Sequence, residues 1–169
     1  MRKLILLLFL SVTLSLNLKA QKSVKIWIVR HAEKDIGNAI DKDPDLSEKG
    51  KIRAEALMKE LRGKGIDSIF STPYKRTKFT AFPLADRIGL VINTYDPAKP
   101  ELLVQRIRKY SDGKKVLIVG HSNTILPLIK AFGGKAPIEE IKDEEYSYLF
   151  TLLVKANKTD VEISKYGDN

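Results

Sequence analysis

Six short apolar runs alternate with four longer stretches of helical period along this chain. Val24–Val29 (VKIWIV) is short, β-branched and flanked by polar residues, which predicts a buried strand. Ser47–Arg62 follows with Ile52, Ala56, Leu57 and Leu61 gathered on one predicted face, and Gly63 and Gly65 end it. Asp67–Phe70 reads as a second strand. Ser71-Thr72-Pro73 then offers a cap and a first-turn proline for a helix running to Ile88, and Pro83 predicts a kink or a split within it. Leu90–Tyr95 is a third strand. Pro100–Tyr110 is a helix with Leu103, Ile107 and Tyr110 on one side. Val116–Val119 is a fourth strand, and Ser122–Phe132 is a helix closed by Gly133-Gly134. Tyr148–Val154 and Val161–Ser164 have no helix between them, which predicts an antiparallel hairpin or a sheet edge. The pattern as a whole predicts an α/β three-layer sandwich: a mostly parallel central sheet with helices on both faces.

The first twenty residues follow a different rule. Met1-Arg2-Lys3 is basic, Leu4–Leu16 is apolar but for Ser11, Thr13 and Ser15, and Ala20 is small. Thirteen residues fall short of the roughly 20 that span a bilayer, and the order of basic, apolar and small fits a secretory signal peptide over residues 1–20. Cleavage after Ala20 and retention as an anchor are the two outcomes to distinguish. Either implies a periplasmic or secreted location, and cleavage leaves no stable membrane span. One domain over residues 22–169 remains, too short to add a large cap domain.

Composition narrows the chemistry. There is no Cys, so disulfides, thiolate metal sites and thiol nucleophiles are excluded. The chain carries a formal charge of +9, and three of its 30 basic residues lie in the first twenty, leaving +6 on the body. No run of five like charges occurs, and aromatics do not alternate with the basic residues. A nucleic-acid partner is therefore not expected, whereas an anionic substrate benefits from the field.

Only two histidines exist, and both directly follow apolar strands: His31 after VKIWIV-Arg30, His121 after KVLIV-Gly120. That edge of an open α/β sheet is where ligands bind. Arg30 neighbours His31, although strict alternation turns the two side chains apart unless the strand end bends. Arg76 lies near the start of a helix that also follows a strand, and Ser122-Asn123 opens another after His121. Helix starts favour anions, and arginine's planar fork suits phosphate. A metal would need a third ligand such as Glu33, Asp35 or Asp96, and a cation between two arginines is opposed by ~4 kcal/mol per unit charge at ~4 Å. No metal and no cofactor are expected. Neither Ser71 nor Ser122 has the glycine-flanked setting of a serine nucleophile.

Four boxes in this order resemble the histidine phosphatase superfamily, in its small branch without a cap domain. They are VRHAEK (29–34), LSEKGKIRA (46–54), IFSTPYKRTKFTA (69–81) and VLIVGHSNT (116–124), with Ala32 where the family usually has Gly. The resemblance implies a phosphoglycerate-mutase-like fold and an exported, metal-independent phosphatase. His31 would form a phosphohistidine, and Arg30, Arg76 and His121 would hold the phosphoryl oxygens. Asn38 would add a substrate contact, as an Asn does in some relatives. The general acid, where relatives have one, would be Glu33, Asp35, Asp96 or Glu101; small phosphohistidine phosphatases lack it. The expected partner is a phosphorylated small molecule, glycan or protein. The alternatives are an inactive phosphoanion-binding protein, a phosphoglycerate-type mutase, and a basic envelope-associated module.

Overall fold

The computed structural model describes residues 23–167, so the leader segment read above lies outside the described residues. The elements in chain order are β1 (Val24–Arg30), α1 (Glu48–Leu61), β2 (Ser68–Ser71), α2 (Lys75–Ile88), β3 (Ile92–Thr94), α3 (Pro100–Tyr110), β4 (Lys115–Gly120), α4 (Ser122–Ala131), β5 (Tyr148–Val154) and β6 (Thr159–Lys165). The six strands form one sheet in the order β3-β2-β4-β1-β5-β6. The pairs β2–β3, β2–β4 and β1–β4 are parallel, while β5 lies antiparallel to both β1 and β6. The expected α/β architecture and terminal hairpin are therefore present. Among the described residues no helix is long and apolar enough to cross a membrane.

Strand alternation divides the core into two layers. Val24, Ile26 and Ile28 of β1 join Leu103, Val104, Ile107, Ile125 and Ile129 beneath α3 and α4. Trp27 and Val29 face the other way and join Leu57, Leu61, Ala81 and Leu84 beneath α1 and α2. Both faces of β1 are thus buried, which explains its nearly continuous apolar sequence.

Several local expectations need correction. Ile52 is 70% exposed, because the buried stripe of α1 runs Gly50, Ala54, Leu57, Leu61 instead. Gly50 sets that rotation: a Cβ there would fall on the carbonyl oxygen of Glu33, so only glycine lets the helix approach. Tyr110 is 68% exposed, and Val104 takes its place beside Leu103 and Ile107. Of the two outcomes expected at Pro83, the split does not occur: one helix runs from Lys75 to Ile88 with the proline inside it. Ser71 and Thr72 do not cap α2 either. The N-cap position is Tyr74, and the Lys75 N–H donates to Asp43 Oδ1 at 3.0 Å, so a carboxylate from a distant loop covers that end. β3 is shorter than Leu90–Tyr95, three residues at the sheet's edge.

Candidate active site

Register puts the two histidines side by side. In the parallel β1–β4 pair, Arg30 is level with Gly120, so the next residues, His31 and His121, leave the sheet together. The His31 N–H donates to the Gly120 carbonyl at 2.9 Å, which carries the pairing one step beyond the strand. The ring centroids stand 5.3 Å apart at an interplanar angle of 65°. Two residues 90 positions apart in sequence thereby share one pocket at the carboxyl edge of the sheet.

His31 is only 6% exposed. Its Nδ1 lies 2.8 Å from the Ala32 carbonyl oxygen. A carbonyl only accepts, so Nδ1 carries the proton and Nε2 presents its lone pair. Burial, and then the charges of His121, Arg30 and Arg76, lower its pKa to about 3. His121 is lowered to about 4 by burial and then by Arg76 and Arg30. Both imidazoles are therefore neutral at pH 7, and the charges bearing on them are cationic.

The two arginines are held differently. Arg30 is 7% exposed, and one terminal nitrogen donates to the carbonyls of Lys142, Asp143 and Glu145 at 3.0, 2.9 and 3.1 Å. Its guanidinium stacks 4.0 Å from the Tyr146 ring centre. Its charge bears on both His31 and His121, so the adjacent residues Arg30 and His31 serve one pocket. Its Nε is buried without a partner, a donor whose desolvation costs about 1–3 kcal/mol until an acceptor arrives. Arg76 lies over the Tyr74 ring at 4.4 Å and pairs with Asp43 at 3.7 Å. Tyr74 in turn meets His121 edge-on at 5.3 Å, and Tyr146 lies 6.1 Å from His31. The rings run Tyr146, His31, His121, Tyr74, with an arginine against each end.

Ala32, the departure from the family's glycine, is fully buried against Leu46 and Ala54. Its N–H donates to Thr80 Oγ1 at 2.8 Å, and Thr80 donates to the Arg76 carbonyl at 2.7 Å. The extra methyl is thus packed away from the imidazole, and Thr80 ties the His31 loop to the helix carrying Arg76.

None of the acid candidates hydrogen-bonds to a histidine. Glu33 forms a bidentate pair with Arg53 at 2.8–3.0 Å. Burial pushes Glu33 upward, but the hydrogen bonds and charge of Arg53 outweigh it and hold the carboxyl below its usual range. Asp35 and Asp96 each accept an N–H two residues ahead, from Gly37 and Ala98, in exposed turns. Glu101 is an exposed first-turn residue of α3. Asn38 is exposed and spends its Oδ1 on the Ile40 N–H at 3.1 Å. Among the described residues, no carboxylate hydrogen-bonds to either histidine, and no three His, Asp or Glu side chains gather as a metal-ligand group.

Sequence reading missed Thr72, Thr77, Asp43, Tyr74 and Tyr146. Thr72 had a signal, since it directly follows β2 as the histidines follow their strands. The carbonyls of Lys142, Asp143 and Glu145 had none, because every residue carries that group.

The buried neutral histidines make stability pH-dependent. Unfolded, each titrates near 6.5; folded, near 3 and 4, so the unfolded chain binds more protons as pH falls below 6.5. Stability is full above that value and declines below it, by about 1.4 kcal/mol per unit per histidine. Denaturant unfolding at pH 5 should show a loss of roughly 2–4 kcal/mol relative to pH 7. The His31→Gln, His121→Gln double variant should show a much smaller difference between the two pH values.

Residues 26–99 match the model of the histidine phosphatase superfamily (branch 1). The six-stranded mixed sheet and four helices are the fold of phosphoglycerate-mutase-like phosphatases. By motif over residues 26–99 and by fold, the chain resembles the histidine phosphatases. Phosphoserine phosphatase 1 of Hydrogenobacter thermophilus is 42% identical over 74 residues, covering 41% of this chain and 35% of that protein. The match thus spans about a third of that relative's length. A mycobacterial glucosyl-3-phosphoglycerate phosphatase in complex with VO3 superposes with a TM-score of 0.69 at 16% identity, covering 85% of this chain and 99% of that one. The protein histidine phosphatase SixA in complex with tungstate gives 0.67 at 16% identity, covering 83% and 96%. At that identity the two structures speak for the fold alone.

Proposed function

We propose that this chain is an exported, metal-independent phosphatase that transfers a phosphoryl group to His31 and then to water. One observation carries the reading: two neutral imidazoles 5.3 Å apart, under the field of two arginines and with no carboxylate bearing on His121. A neutral Nε2 is a nucleophile, and the cationic surroundings stabilise the charge that spreads over the phosphoryl oxygens in the transition state. In the first step a bond forms from Nε2 to phosphorus as the bond to the leaving group breaks. In the second, a water oxygen displaces Nε2 and phosphate leaves. Arg30, through its unpartnered Nε, and Arg76 hold the oxygens, with His121 alongside.

The carboxylates' positions bear on the substrate. With Glu33 held as an ion pair and the other three engaged in turns or exposed, a leaving group that departs with little help is favoured. A phosphohistidine or another phosphoramidate fits, since an imidazole protonated beforehand leaves as a neutral ring. A second copy of the same chemistry on an aryl phosphate would also proceed. Export rests on the basic–apolar–small pattern of residues 1–20, and the mass of the secreted or periplasmic form tests it.

The decisive assay is a panel in chelator: aryl phosphate, phosphohistidine, phosphopeptides and sugar phosphates. Turnover of the first two well above alkyl phosphates is expected. Preference for alkyl phosphomonoesters would overturn the substrate reading. Tight phosphate binding with no turnover of any member would favour the inactive anion-binding alternative.

A further inference from the structure

Behind His121 lies a pair of threonines that no part of the reaction so far employs. Thr72 and Thr77 are both fully buried. Thr72 Oγ1 is 2.9 Å from His121 Nε2 and 2.8 Å from Thr77 Oγ1. Strand register creates the first contact. Ser71 is level with Val119, so Thr72 leaves β2 beside Gly120 and reaches His121, the residue that follows β4.

Proton counting gives this chain a direction. The Thr77 hydroxyl has one proton and lies 2.8 Å from the Tyr74 carbonyl and 3.1 Å from the Thr72 carbonyl. Both carbonyls are acceptors only, and the proton goes to one of them. The short contact between the two hydroxyls then needs a proton from Thr72. Thr72 has none left for the imidazole, so the 2.9 Å contact is an Nε2–H donating to Thr72 Oγ1.

We propose that Thr72, backed by Thr77, is a positioning residue that holds His121 in its Nε2–H tautomer, leaving Nδ1 as the basic ring atom. The proposal rests on the phosphatase reading for its catalytic consequence, but not for the tautomer itself. A monoanionic phosphoryl group entering the site offsets the cationic field that adds to burial in depressing His121, and displaces the Thr124 N–H that the His121 side chain accepts in its capping box. It then transfers its P–O–H proton to Nδ1. The O–H bond breaks, an N–H bond forms, and the imidazolium keeps Nε2–H on Thr72 while Nδ1–H donates back to the phosphoryl oxygen. The opposite tautomer would put a fixed N–H on Nδ1 and remove that capacity. Thr72 acts only through His121 and touches no reacting atom.

The two threonine variants have opposite signatures. Thr72→Val keeps the shape and removes the acceptor, so Nε2–H loses its partner and both tautomers become populated. Thr77→Val removes the acceptor for the Thr72 proton, freeing that proton to donate to Nε2 and driving His121 to Nδ1–H. Thr72→Ser retains the hydroxyl and should behave as wild type. The chain has two histidines, so ring-nitrogen NMR of untagged, 15N-histidine-labelled protein resolves both, with His31→Gln to assign them. On aryl phosphate, Thr72→Val should lose roughly ten- to a hundredfold in kcat, in keeping with loss of one orienting hydrogen bond. Thr72→Ser should restore most of it.

A wild-type Nδ1–H tautomer would overturn the proposal, as would a Thr72→Val spectrum and kcat identical to wild type. If the wild-type protein hydrolyses nothing while the spectra change as stated, the phosphatase reading fails and the hold of Thr72 on His121 stands. Inorganic phosphate titrations supply a fold-independent check. A Thr72→Val protein that melts as wild type and binds phosphate as wild type, with an unchanged His121 spectrum, would likewise refute it.

Discussion

His31→Ala is expected to lower turnover on the order of 10⁴-fold or more and to abolish any acid-labile, base-stable phosphoryl label on the protein. Nε2 of His31 is the only imidazole lone pair in the site whose partner nitrogen is fixed by a backbone carbonyl. Removing it leaves Arg30, Arg76 and His121 in place, so inorganic phosphate should still bind with an affinity near that of wild type. Turnover and binding would then separate. Equal turnover of the two proteins would sink the nucleophile assignment. Loss of phosphate binding in parallel with turnover would show that the imidazole acts in recognition instead. The depressed pKa adds a second mark. An ordinary histidine nucleophile loses activity below pH 6.5. Here the acid limb of kcat/KM should lie well below that value, or follow the ionisation of the substrate instead.

Glu33→Ala is expected to destabilise the fold by about 3 kcal/mol. Arg53 is 5% exposed at its side chain, and Glu33 12%. Breaking a buried bidentate pair leaves charge poorly compensated, which costs far more than losing an exposed one. The same carboxylate was a candidate general acid by its place two residues after His31. The two roles predict different data. As a structural anchor, Glu33→Gln should lower the denaturation midpoint and leave the turnover of folded protein little changed. As an acid, it should keep the midpoint and lose orders of magnitude in kcat, most for poor leaving groups. Thermal unfolding and kinetics on one preparation decide between them.

Asp43→Ala tests a smaller contact. It removes the carboxylate that pairs with Arg76 and accepts the Lys75 N–H. A cap of that kind is worth about 1 kcal/mol, so a modest drop in stability is expected. Phosphate should bind more tightly, because the anion no longer competes with Asp43 for Arg76. Weaker phosphate binding would mean that Asp43 orients the guanidinium.

Much of the fold was legible because its signals are local. Apolar runs too short for helices, each bounded by turn residues, mark β1, β2 and β4 well. The alternating order of elements requires a mostly parallel sheet. Finer assignments failed where a distant residue intervened. Ile52 has the right period for burial, but the backbone of Glu33 presses on Gly50 and turns α1 by a position. Ser71-Thr72-Pro73 has the composition of a helix cap, but Thr72 is committed to His121 and Thr77, and Asp43 does the capping.

The site divides along the same line. Sequence by itself determined that two histidines and two arginines lie at strand ends and helix starts, because those positions follow from runs of adjacent residues. It also determined that thiol chemistry is excluded, since no cysteine is present. Only the tertiary structure decided that His31 donates to Ala32, that Arg30 is clamped by carbonyls more than a hundred residues away, and that among the described residues no carboxylate hydrogen-bonds to either imidazole. Those facts depend on strand register and on backbone groups that every residue carries alike. A sequence shows which side chains are available, whereas the distances between them arise only when β1, β2 and β4 pair.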